Sequence, residues 1–238
     1  MLLKICNSIV IFLFFIHPIY SEENSKQFTI DKNKQDQIFA KLLKLGNEKH
    51  SKFSGTISKR KVTNRHYDPE TGKITELEEV LVERIEYFFK KPVVKAITYR
   101  KNGKDVDPTS FNPPLTEPPL PLFGPGSEKN YNLKIIGQEK IKGKLCYIIN
   151  IQPNFKTDRH LIGKLFIDAS NLEAVRLKGG LAKLPFGAKS LDLDINFSTV
   201  DGYNVASSGI VRYIAKVPLI IHEKVENEFQ SIEDGFVK

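Results

Sequence analysis

From residue 53 to the end, the sequence is a succession of strand-length runs, each closed by proline, glycine or an Asn/Asp turn, with no helix-length segment between them. A parallel pair of strands needs a crossover of a dozen or more residues, usually helical, so this spacing predicts an antiparallel meander. The first run, 52–65, is polar and closes at Asp68-Pro69-Glu70-Thr71-Gly72. Run 74–89 stops at Pro92, and 93–100 meets Asn102-Gly103, a type I′ hairpin signal. Runs 131–136 and 145–152 are joined through Gly137 and Gly143, and 164–169 and 174–178 turn at Ser170-Asn171. Leu191, Leu193, Ile195 and Phe197 alternate with Asp192, Asp194 and Asn196, the period of a half-buried strand. Asp201-Gly202 makes another turn, and 209–215 and 219–229 flank Pro218. A sheet of about ten strands does not stay flat and open; it curls or splits into a sandwich.

One segment precedes the strands with a different period. Ile38, Phe39, Leu42, Leu43 and Leu45 stand at helical spacing within 32–45, and Gly46 follows where a helix end accepts positive φ. The prediction is an amphipathic helix of about four turns. Residues 108–125 carry seven of the 13 prolines and exclude both helix and sheet interior. They also carry Phe111, Leu115, Leu120, Leu122 and Phe123, more apolar surface than a solvated linker needs, so 108–126 reads as a loop packed over the scaffold rather than a linker.

Residues 1–21 have Lys4 as their one charge, an apolar block at 9–16, and Pro18 before Ser21. That is the layout of a cleaved secretory signal, and it is short of the roughly 20 apolar residues that a span requires. The remainder, 22–238, is then one exported domain, periplasmic or, as second choice, secreted. Removing the signal lowers the formal charge of +8 by one, too diffuse to locate a partner, although an anionic membrane surface suits its sign. It also takes Cys6 and leaves Cys146 alone in an apolar strand, a buried inert thiol without a disulfide.

Chemistry-bearing patterns are scarce. No G-x-S-x-G, H-E-x-x-H, Walker or G-x-G-x-x-G motif occurs, and His50, His66, His160 and His222 lie at no metal-ligand spacing. No cofactor or metal is implied. His50 and His66 have polar neighbourhoods and read as solvated. On a strand Glu76, Glu78 and Glu86 share one face and Glu79 and Glu83 the other, so pairing across strands to Lys or Arg is expected. Lys52, Lys59, Arg60, Lys61 and Arg65 lack the interleaved aromatics of a nucleic-acid surface, and no nucleic-acid partner is expected.

What remains is an apolar interior. A curled sheet of this strand number has room inside, and a lining of Leu, Ile, Phe and Tyr with few charges suits an acyl chain. Helical spacing selects Phe39, Leu42 and Leu43 for this lining. Alternation selects Ile85, Tyr87 and Phe89, then Leu145, Tyr147 and Ile149, then Leu191, Leu193, Ile195 and Phe197. Leu120, Leu122 and Phe123 are candidate lid residues. The alternative is that helix and loop complete a closed core.

A resemblance bears on that choice. Gly137-Gln138-Glu139-Lys140-Ile141-Lys142-Gly143-Lys144-Leu145-Cys146-Tyr147-Ile148-Ile149 resembles the G-x-E-x-(V/I)-x-G-x-x-(C/A)-Y-x-(V/L) hairpin of the outer-membrane lipoprotein-sorting family, LolA-like proteins related to LolB and to the amino-terminal domain of RseB and MucB. Gly163-Lys164-Leu165-Phe166-Ile167-Asp168, followed by Ala174-Val175-Arg176, resembles a second hairpin of that family, and Asp201-Gly202-Tyr203 a later turn. After that turn the family's usual W/L-P is Asn204-Val205-Ala206 here. The resemblance implies a mainly β, half-open antiparallel barrel with a helical lid, binding lipid or lipoprotein acyl chains without catalysis. Two other functions are compatible with the same chain. One is an envelope interaction or sensor protein with a protein partner and no cargo. The other is an enzyme on envelope lipids or glycans using His160 near Asp158 or His222 near Glu223.

Overall fold

A computed structural model describes residues 28–113, 117–217 and 221–238. The expected signal at 1–21 and Leu115 lie outside the described residues. Helix α1, Lys32–Lys52, starts where the Asp31 side chain accepts the Lys34 N–H at 3.1 Å. It buries Ile38 and Leu42, one turn apart, and places Lys49, His50 and Lys52 in its last turn, where cations oppose the helix dipole. The helix does not end at Gly46 as the sequence predicts but runs through it. The glycine serves close approach: a Cβ there would stand 2.5 Å from the carbonyl oxygen of Phe123. Without a side chain at 46, the proline-rich loop lies directly on the helix backbone.

Among the described residues, eleven strands form one antiparallel sheet: β1 Gly55–Tyr67, β2 Ile74–Tyr87, β3 Val93–Lys101, β4 Lys104–Val106, β5 Tyr131–Ile141, β6 Lys144–Pro153, β7 Leu161–Asp168, β8 Ala174–Leu181, β9 Ala188–Val200, β10 Tyr203–Val217 and β11 Ile221–Val237. The Asn102-Gly103 turn supplies one strand more than the sequence suggested, the three-residue β4. The order is β4-β3-β2-β1-β11-β10-β9-β8-β7-β6-β5. Two meanders, β1–β4 and β5–β11, are therefore joined by pairing of β1 with β11, which runs from Gly55↔Val237 to Tyr67↔Lys224. The sheet is not closed. Its edges, β4 and β5, are consecutive strands in the chain.

Residues of β2 and β7, six places apart in the sheet order, line one cavity. In a flat sheet they would stand roughly 29 Å apart at an interstrand spacing of about 4.8 Å. The sheet is therefore curled around α1. Register shifts at Lys59/Arg60, Ile135/Gly137 and Phe166/Ile167 mark places where strands bend. The main core lies on the inner face beneath α1. Ile38 and Leu42 belong to one cluster with Ile135, Tyr147, Ile149, Ile151, Leu165, Ile167 and Leu177. Each fully buried isoleucine among them contributes about 1.5–3 kcal/mol. A smaller cluster of Val80, Val82 and Tyr99 sits under Phe111, and Ile141, Cys146 and Phe166 pack on the opposite face of β5–β7.

Candidate functional site

A cavity of about 410 Å³ lies between the second half of α1, the proline-rich loop and the curled sheet. Leu42, Leu45, Gly46, Lys49 and His50 come from α1, and Leu161, Leu165 and Ile167 from β7. Leu172, Ala174, Phe197 and the stretch 202–206 continue the wall, and 118–123 covers it. Thr56 and 86–88 form the end farthest along the sheet. The cover is tied down. Leu120 N–H donates to Arg159 O at 2.8 Å, and the Tyr131 hydroxyl donates to Leu120 O while accepting the Leu161 N–H, both at 3.1 Å. Arg159 Nε donates to Pro118 O at 3.2 Å, and its guanidinium pairs with Glu117 at 2.8 Å.

The wall is apolar along β7–β9 and charged at the β1–β2 end. There the Glu86 carboxylate meets Arg84 Nε at 2.9 Å and Arg60 Nη2 at 3.3 Å. Burial pushes the Glu86 carboxyl up, but the two guanidinium groups outweigh it and hold its pKa below the ordinary value. Arg60 is buried, lies 4.9 Å from the centre of the Phe229 ring, and reaches Ala206 O at 3.4 Å. Lys49 Nζ donates to Asn204 O at 2.7 Å and stands over the rings of Phe88 and Phe236 at 5.5 and 5.4 Å. Burial lowers its pKa to about 8, against a smaller opposing effect of Glu86.

His50 is not the solvated residue its neighbours in sequence suggest. Its ring lies 4.4 Å from Phe88 and 5.6 Å from Phe89, its Nδ1 is 2.7 Å from Gly46 O, and burial lowers its pKa. His160 is also buried, with Nδ1 2.6 Å from Thr157 Oγ1 and its ring against Tyr131, while Asp158 is exposed. His66, Glu76 and Glu78, unremarkable in sequence, bring ligand atoms within 4.8 Å of one another. Those carboxylates already face Lys101 at 2.7 Å, and the Tyr99 hydroxyl and Asn64. Cross-strand pairing of the acidic run is present at Glu76, at Glu86 and, to Arg100 at 4.0 Å, at Glu79.

Among the residues selected from sequence, Leu42, Tyr87, Phe197, Leu120, Leu122 and Phe123 line this cavity. Tyr147 and Ile149 belong to the core cluster beside it, and Phe39, Leu193 and Ile195 pack against that cluster. Leu43 faces a separate groove of about 510 Å³ whose walls include Lys44, Asn47, Glu48 and Glu128, too polar to bury a chain of methylenes. Ile85 pairs across from Ile57 and Val93, both exposed, and so stands on the opposite face from Glu86. Phe89 and Leu145 are 53% and 45% exposed, and Leu191 is half-buried on β9.

The β2 reading goes astray for a physical reason. Val80 and Val82 face inward and are followed by Arg84 and Glu86, whose charges are compensated there together with Arg60. Hydrophobicity alone favoured the other parity. Leu161, Leu165 and Ile167 lie on one face at even spacing and were open to the same alternation argument. Lys49 and His50 were not, because the helix had been expected to stop before them.

Neither a family model nor a curated protein sequence matches the chain. Among the solved structures similar to it at low identity are three that span most of both chains. A DUF1329 family protein from Desulfovibrio piger is 10% identical, over 87% of this chain and 94% of that one, with a TM-score of 0.43. A LolA superfamily protein from Nitrosomonas europaea is 11% identical, over 85% and 93%, with a TM-score of 0.40. A domain described as an outer membrane lipoprotein-sorting protein, from Vibrio parahaemolyticus, is 11% identical, over 84% and 91%, with a TM-score of 0.43.

Proposed function

We propose that this chain is a periplasmic, non-catalytic binding protein that holds an acyl chain of a lipid or lipoprotein between α1, the 118–123 cover and the inner face of β7–β10. The observation that carries the reading is the cavity of about 410 Å³ with Leu161, Leu165, Ile167 and Phe197 on its wall and Leu120, Leu122 and Phe123 in its cover. That volume lies within the roughly 300–1,000 Å³ of small-molecule sites, and an apolar wall of this kind takes up methylene groups by burying them. Burial of each contributes about 0.8 kcal/mol without any directional group. Such a site retains its cargo by desolvation and releases it when the cover moves. The polar groups at the β1–β2 end are held to one another and to main-chain oxygens, an arrangement for orienting a ligand rather than for transferring a proton.

Mass spectrometry of organic extracts of the purified protein, together with displacement of a fluorescent acyl probe, tests this. Copurifying lipid above the level of a control protein and displacement by long-chain lipids are expected. Extracts free of lipid, with no probe binding, would refute the proposal.

A further inference from the structure

The charged end of the cavity bears on what the acyl chain carries. Glu86 is the carboxylate among the cavity-lining residues, and it is engaged by two guanidinium groups, from Arg84 and Arg60. Lys49, the cation on the cavity wall, has no carboxylate within ion-pair distance among the described residues. One N–H of its ammonium goes to the main-chain oxygen of Asn204; its other near neighbours are the faces of Phe88 and Phe236. Aromatic faces and one carbonyl are weak substitutes for a counter-ion, and an under-compensated ammonium on a partly desolvated wall attracts an anion. Among the described residues that line this end or pair with it, three cations, Lys49, Arg60 and Arg84, stand against one carboxylate. The apolar wall begins directly beside it, at Leu42, Phe197 and Val205.

We propose that the ligand is an anionic amphiphile, its hydrocarbon against β7–β9 and its carboxylate or phosphate on the Lys49 ammonium. This rests on the acyl-chain reading above and narrows it. A charge-assisted hydrogen bond from the ammonium adds directional affinity that a neutral head of the same length lacks.

The test uses the full chain with three competitors of equal chain length: a fatty acid, the corresponding lysophosphatidic acid and the corresponding alcohol. Each displaces a fluorescent acyl probe from wild type, Lys49→Met and Lys49→Arg, with circular dichroism as the folding control. At least one anionic competitor is expected to bind wild type about tenfold or more tightly than the alcohol, the scale of a hydrogen bond to a charged group. Lys49→Met should abolish that preference, the anionic competitors binding it no more tightly than the alcohol does, and Lys49→Arg should restore it. Preference for the fatty acid or for the lysophosphatidic acid identifies carboxylate or phosphate as the natural head. Equal binding of all three competitors, or a preference that survives in Lys49→Met, would overturn the inference and leave the acyl-chain reading standing. Failure of all three to displace the probe would overturn both.

Discussion

Replacing Gly46 with alanine sets two effects of opposite sign against each other. Within a helix, glycine is less favourable than alanine by about 0.8–1 kcal/mol, so propensity alone predicts stabilisation. The added Cβ, however, would stand 2.5 Å from Phe123 O, 2.6 Å from Phe123 C and 3.0 Å from Gly124 N. These are main-chain atoms and do not move aside by a rotamer change. Ordinary C···O contacts are about 3.3–3.6 Å, so the loop must retreat by roughly 1 Å. It is held against retreat by the Leu120–Arg159 and Tyr131–Leu120 hydrogen bonds and by Arg159 on Pro118 and Glu117. Overpacking of this kind costs about 1–3 kcal/mol, which exceeds the propensity gain.

Gly46→Ala is accordingly expected to be destabilised by about 1 kcal/mol in urea unfolding. It should also bind an acyl probe severalfold more weakly, because Leu122 and Phe123 move with the loop. Asn47→Ala, at an exposed position on the same helix, gives the propensity baseline and should be slightly stabilised. If Gly46→Ala gains as much stability as Asn47→Ala and keeps its probe affinity, the loop does not lie on the helix as described.

Ile149→Ala, at a fully buried position beneath α1, should lose about 2–5 kcal/mol in urea unfolding, whereas Ile85→Ala on the opposite face should lose less. Glu86→Gln leaves buried Arg60 without its carboxylate and should lower stability by about 3 kcal/mol at neutral pH. Because the Glu86 carboxyl titrates below its ordinary value of 4.5 when folded, its contribution is present above that pH and is lost as pH falls through the folded pKa. Acid unfolding curves of wild type and Glu86→Gln should converge there. Lys49→Met should be more stable than wild type at pH 7, the gap closing as pH rises from about 8 toward 10.5, since over that window the unfolded lysine holds the proton that the folded one has released. Cys146 is 0% exposed, and burial, together with Asp168, pushes its thiol up, so thiol reagents should label it only with unfolding.

Much of the architecture was legible in local pattern. The helix onset before Ile38, the hairpin turns at Asn102-Gly103 and Asp201-Gly202, and the alternation from Leu191 to Phe197 all depend on residues close in sequence, and each is found in place. The site was legible in part. Leu42, Phe197 and the three lid residues follow from period and composition. In β2 the period was right and the parity was not, because inward Arg84 and Glu86 are tolerated only through Arg60 of the neighbouring strand.

The sequence by itself determined that the chain is antiparallel and provided with one amphipathic helix, since periods of two and 3.6 and the chemistry of turns act over a few residues. Only the tertiary structure decided where the helix stops, which face of β2 is inner and what the cavity's charged end contains. Each of these depends on a contact distant in the chain: Gly46 on Phe123, Glu86 on Arg60, Lys49 on Asn204. The pairing of β1 with β11 brings the first strand beside the last, and the curl of the sheet carries β2 toward β7. Period describes a segment's own surface. It holds no information about which distant backbone or charge will be laid against that surface, and here those partners shape the binding site.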